Sequence, residues 1–153
     1  LFPYFSSPTY HVHYAEVEVD PVSGNVHVTR YVVAQDVGRV INSACVRGQI
    51  QGAVAQSIGL SLYESMRFAE DGNIIEANLQ FYRLPLAVDI PRVEYVTMEQ
   101  ENSEGPFGAK GSGEAPVLLP AAVIANAVAD AIGKRITKIP ITPEDVLQAL
   151  ADT

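Results

Sequence analysis

The sequence predicts an α+β fold, a hairpin and short strands packed with about three helices, and three observations carry it. Apolar residues alternate at period two in residues 12–20 (VHYAEVEVD), 25–34 (NVHVTRYVVA) and 93–99 (VEYVTME). Helix-length segments with start or stop signals lie at about 44–66, 117–132 and 142–150. The order of strands, helix, strand, helix, strand, helix lacks the regular alternation of a parallel βαβ sheet.

The elements follow in chain order. Residues 12–20 and 25–34 flank the turn residues PVSG at 21–24 and form a predicted β-hairpin. The polar connector DVGRVIN (36–42) leads to Asn42 or Ser43, either a suitable N-cap for the long helix. Gly48, Gly52 and Gly59, with Ala55, fall on nearly one face of that helix. Each glycine costs a helix about 1 kcal/mol relative to alanine, so close packing is expected for at least two. Asp71-Gly72-Asn73 is a turn, residues 74–81 fit no single template, and an irregular stretch runs to Pro91. Residues 93–99 are a strand, edge or central undetermined. The next helix, about 117–132, stops at Gly133, and residues 135–141 (RITKIPI) are a short strand interrupted by Pro140. Thr142 as N-cap, Pro143 at the first helical position and acids in the first turn start the last helix.

At 153 residues the size favours a single domain, 1–153, with 48% hydrophobic and 18% charged residues as in a globular chain. Net charge is −8 with no Lys/Arg-rich run, which argues against a nucleic-acid partner. The lone Cys45 excludes an internal disulfide, a cysteine-based zinc site and a self-contained iron–sulfur cluster, and reads as a small apolar helix residue. Such cysteine usage suits a reducing compartment, and a cytoplasmic location is expected. The apolar run 115–129 contains Pro116, Pro120 and Asn126 and is too short and interrupted for a membrane span. No secretory signal opens the chain, and Leu1 in place of Met suggests a fragment or a processed start.

The most informative stretch is GPFGAKGSGEAP, residues 105–116, in which four glycines within nine residues precede Glu114. Lys110 is followed by Gly111 rather than Ser/Thr, so no P-loop is formed, and Pro116 stands where a dinucleotide fingerprint needs its third glycine. Gly111 and Gly113 around Ser112 would let main-chain N–H groups meet a bulky group without Cβ interference. Glu114 near a helix N-terminus would be held ionised, as a general base requires. The competing structural reading is that Glu114 caps the following helix while the glycines serve a turn.

Four ordered blocks, VVAQDVGRVIN (32–42), RGQIQGAVAQSIGLSLYE (47–64), YRLPLAVDIP (82–91) and GPFGAKGSGEAP (105–116), carry a family resemblance over nearly the whole chain. Together they resemble the C-terminal end of the molybdenum-binding large subunit of the xanthine dehydrogenase / aldehyde oxidase / carbon monoxide dehydrogenase family. The resemblance implies a molybdenum hydroxylase that oxidises a carbon centre of a small-molecule substrate with water-derived oxygen. Its molybdopterin-type cofactor is held without a protein ligand to the metal. Glu114, the acid of the family's G-x-K-G-x-G-E block, is then the base toward the Mo-bound hydroxide. Gln56 matches a glutamine that reaches the pterin, while Gly111, Ser112 and Gly113 are implied as cofactor contacts and Lys110 as a weaker one. His11, His13 and His27 read as surface strand residues, and Asp36 and Arg39 as structural. Ser43 and Ala115 stand where many relatives have proline, which would loosen local turns.

The resemblance also implies partners: the remaining part of the molybdenum-binding subunit, and iron–sulfur and flavin (FAD) modules on other domains or subunits. This chain supplies one wall and the base, and is expected to be inactive alone. The alternative is a non-catalytic structural or assembly module of the same complex.

Overall fold

Strand β2, Val26–Asp36, is the centre of a three-stranded sheet in the computed structural model, which describes residues 7–100 and 104–151. Strand β1, His11–Val19, pairs with it antiparallel, and a register shift falls between Glu16 and Val17. The turn between them is closed by the Asp20 and Gly24 backbones, and Asp20 also accepts from the Val22 N–H. On the other side β3, Val93–Met98, pairs parallel to β2, from Tyr31 opposite Val93 to Asp36 opposite Met98. The third strand is therefore an edge strand.

Helix α1, Ser43–Leu62, starts where Asn42 accepts the Cys45 N–H at 3.0 Å. It buries Ile50, Val54 and Ile58 completely in the same core as Val28, Tyr31 and Val33 of β2. Each such side chain contributes about 1.5–3 kcal/mol when fully removed from water. Gly59 packs closely: a Cβ there would meet Glu64 and Pro85, at 2.1 and 3.0 Å. Gly48 and Gly52 do not, since nothing lies within 4 Å of a Cβ at either position. The expectation of close packing at two or more of these glycines thus holds for one.

Helix α2, Pro120–Ile132, follows a 3-10 turn at Ala115–Val117, lays buried Ile124 and Val128 across β1 and α1, and ends at left-handed Gly133. Residues 115–132 are long and apolar enough to cross a membrane by length and composition. The backbone divides them, and the 13 residues of α2 reach only about 20 Å, short of a bilayer core of about 30 Å.

Residues 135–141 are not a strand. Pro140 lacks the N–H a ladder needs, and the segment is tied instead to the end of α1, where Ile141 N–H donates to the Ser61 carbonyl at 2.7 Å. Helix α3, Pro143–Ala151, starts as its sequence demands: Thr142 and Asp145 exchange hydrogen bonds in a reciprocal cap, with the Thr142 hydroxyl donating to Asp145 at 2.8 Å.

Candidate functional site

At the C-terminal end of β2 the glycine-rich loop is bound to the sheet. Arg39 N–H donates to the Gly108 carbonyl at 2.8 Å and Lys110 N–H to the Val37 carbonyl at 2.9 Å. A 3-10 turn at Pro106–Gly108 reverses the chain, with Phe107 and Gly108 both at positive φ. Gly38, at φ +58°, admits this approach, because a Cβ there would lie 2.3 Å from the Gly108 oxygen.

A buried ion pair locks the arrangement. Asp36 and Lys110 form a short contact, with side chains 2% and 7% exposed, and the Lys110 ammonium also lies 5.8 Å from the centre of the Tyr10 ring. Burial alone would raise the Asp36 carboxyl. Hydrogen bonds from Lys110 and the Gly38 N–H, with the lysine charge, outweigh it and hold the group below its usual value. Asp36 is structural, as expected from the sequence. The Lys110 ammonium is spent on this carboxylate, so Lys110 positions the loop.

Beyond Lys110 the loop opens. Gly111 and Gly113 are exposed, neither has positive φ, and a Cβ at either would meet nothing within 4 Å. They are not turn glycines. Glu114 is exposed and its side chain makes no capping hydrogen bond to the 3-10 turn that follows. The long helix begins only at Pro120, so Glu114 is neither its cap nor within reach of its N-terminal dipole. The capping reading therefore finds no side-chain hydrogen bond to support it. The proline at 116, inside the 3-10 turn, delays the helix.

Glu114 is placed against α1 through its own backbone. Its carbonyl accepts the Val117 N–H at 3.0 Å, and the Val117 carbonyl accepts the Ser57 hydroxyl at 2.9 Å. Ser57 is buried on the inner side of α1, and its neighbour Gln56 is exposed. The elements bearing Gln56 and Glu114 are therefore brought together, although no hydrogen bond between the two side chains occurs among the described residues.

Gln56 continues an exposed stripe of α1 that includes Cys45, Gly48, Gln49 and Gly52. Cys45 and Gln49 join Asn42, Lys110 and Ser112 around a groove of about 190 Å³ between α1 and the loop. Gln49 was missed by the sequence reading. Its signal was the spacing 49, 52 and 56, which puts two amides and a glycine on one face.

The histidines are not all at the surface. The strand alternation turns His13 inward, where it is buried and bonded through Nδ1 to the Tyr31 hydroxyl at 3.0 Å, with His11 at 3.4 Å from Nε2. Burial, with a smaller contribution from His11, lowers the His13 pKa to about 4, and burial raises the Tyr31 hydroxyl. These groups lie in the sheet core, away from the loop. Gln35 is also fully buried, and its amide has no hydrogen-bond partner among the described residues.

Comparison with known proteins gives one consistent result. Residues 2–91 match the family model of the molybdopterin cofactor-binding domain. The chain is 40% identical over 140 residues to the 6-hydroxypseudooxynicotine dehydrogenase complex subunit gamma of Paenarthrobacter nicotinovorans, covering 90% of this chain and 18% of that protein. It is 38% identical over 143 residues to the aldehyde oxidoreductase of Megalodesulfovibrio gigas, covering 92% and 15%. The crystal structure of quinoline 2-oxidoreductase from Pseudomonas putida 86 superposes with a TM-score of 0.86 at 31% identity, covering 92% and 18%. The chain thus spans less than a fifth of the length of these relatives.

Proposed function

Because the chain belongs to the molybdopterin cofactor-binding domain family, as a part of a molybdenum-binding large subunit of the xanthine dehydrogenase / aldehyde oxidase / carbon monoxide dehydrogenase type, we propose that it supplies one wall and the catalytic base of a molybdenum hydroxylase. The observation that carries this reading is Glu114: an exposed acid without a structural task, on a loop whose other half is firmly anchored.

The residues present fit a molybdopterin-type cofactor. Gly111 and Gly113 leave their N–H groups unshielded by any side chain, and Gln49, Gln56 and Ser112 offer neutral donors and acceptors suited to a heterocycle edge. Gly111, Ser112, Gly113 and Gln56 would hold the cofactor, and Lys110 would keep the loop in register through Asp36. When bound, the cofactor supplies the redox chemistry that takes electrons from the substrate carbon. The Glu114 carboxylate accepts the proton released as water-derived oxygen is passed to that carbon, and gives it back to solvent. Iron–sulfur and flavin modules elsewhere in the complex would carry the electrons onward; two relatives are themselves named as a gamma subunit and a large subunit.

The test is molybdenum per chain, by elemental mass spectrometry, on the complex purified from its native host. Near-stoichiometric molybdenum is expected. A complex that keeps its partners and its pterin supply but contains no molybdenum would favour the non-catalytic assembly module instead.

A further inference from the structure

The face of the sheet opposite the helices is divided into two unlike halves. Toward the hairpin turn it is ionic: Arg30 lies between Glu16 and Glu94, at 3.3 and 2.8 Å, all half-exposed. Toward the C-terminal end of β2 it is apolar. Val12 opposes Ala34, which opposes Val96, and Tyr14 opposes Val32 in the next row. Tyr10, Val12, Tyr14, Val96 and Met98 are 65, 69, 54, 58 and 41% exposed. Scattered exposed apolar residues are ordinary, but here they lie on β1, or just before it, and on β3, on either side of half-buried Val32 and Ala34 of β2.

This apolar half adjoins the loop anchor. Tyr10 covers the Lys110 ammonium and its carbonyl accepts the Asp36 N–H at 2.8 Å, while the Met98 carbonyl accepts the Val37 N–H at 3.2 Å. We infer that the apolar half is the seat of the remaining part of the same large subunit, and that the ionic half stays in solvent. Two facts select this occupant. The chain accounts for only 12–18% of its relatives' length, so most of such a subunit lies outside it. The patch is also continuous with the loop anchor, since Tyr10, itself 65% exposed, lies over the buried Lys110–Asp36 pair, so an occupant there would cover Tyr10 and keep it in place over the pair.

This rests on the reading that the chain is part of a longer subunit, and the experiment is independent of metal content. Val12→Cys and Val96→Cys would be introduced singly into the full-length subunit within its complex, with Glu18→Cys and Thr29→Cys as controls at the ionic end. Maleimide labelling would be read by peptide mass, which separates each site from Cys45. The expected result is labelling of both apolar-half thiols at least about tenfold slower than the controls, with equal rates after unfolding. Labelling as fast as the controls in the native subunit would overturn the inference. Protection that vanishes on dilution to a single copy would also overturn it, and would assign the face to a second copy of the chain. Preparations with and without molybdenum are to be labelled in parallel, so an empty metal site and an uncovered face are told apart.

Discussion

The glycine-rich loop is built differently at its two ends. From Gly105 to Lys110 it makes backbone bonds to itself and to Val37 and Arg39 just beyond β2, and it ends in a buried ion pair. From Gly111 to Gly113 it has no backbone hydrogen bond to a described residue, and Glu114 is held through its carbonyl alone. Positions that are anchored have structural causes that can be named residue by residue. Positions that are open have none among the described residues, and under the proposed function they face the cofactor. That difference is the main physical argument for where the chemistry sits.

Breaking the anchored half should produce the largest loss of stability. Lys110→Ala leaves the Asp36 carboxylate buried and alone, which costs about 3–5 kcal/mol in comparable cases. Thermal unfolding of the full-length subunit checks this, and an unchanged midpoint would mean that the pair carries no weight. Acid should loosen the same half more gently. The Asp36 carboxyl is held below its ordinary value of 3.8, so its contribution is complete above that pH and is lost as pH falls through the lower folded value. His13 acts earlier: its folded pKa of about 4 lies below the ordinary 6.5, so the unfolded chain gains protons first and stability declines between pH 6.5 and 4. A pH titration of stability should show both windows, with the upper one flattened by His13→Asn and the lower one reversed by Lys110→Ala, because burial then raises the Asp36 carboxyl and acid relieves its unpaired charge. The smallest effect on stability belongs to the open half. Gly111→Ala should change stability by no more than about 0.5 kcal/mol, since its Cβ meets only open space, while molybdenum content or turnover falls. Loss of stability without loss of cofactor would reverse the assignment of the two halves.

Local signals were legible in the sequence wherever the cause was local. Asn42 capping α1, Gly133 ending α2 and the Thr142–Asp145 start of α3 each depend on neighbours within four residues. The two-strand alternation also located the hairpin. What the sequence hid depends on distant pairing. The parallel union of β2 with β3 and the Asp36–Lys110 pair join segments far apart in the chain, and no spacing rule announces them. Residues 135–141 show apolar alternation without becoming a strand, because Pro140 disfavours ladder formation and Ile141 is claimed by Ser61. In the candidate site the acid and the glycines stood out by composition alone. Gln49 did not, because a glutamine on a helix is ordinarily solvated surface, and only its place beside Ser112 around the groove gives it meaning.

The central claim is that Glu114 is free because it works on a bound reaction centre. The most direct test is Glu114→Gln in the full-length subunit within its complex, with turnover and molybdenum per chain measured on the same sample. Turnover is expected to fall by about 10²–10⁴-fold, the usual contribution of a positioned base, with molybdenum retained. Turnover equal to that of the unsubstituted enzyme, or molybdenum lost in proportion to activity, would contradict the account.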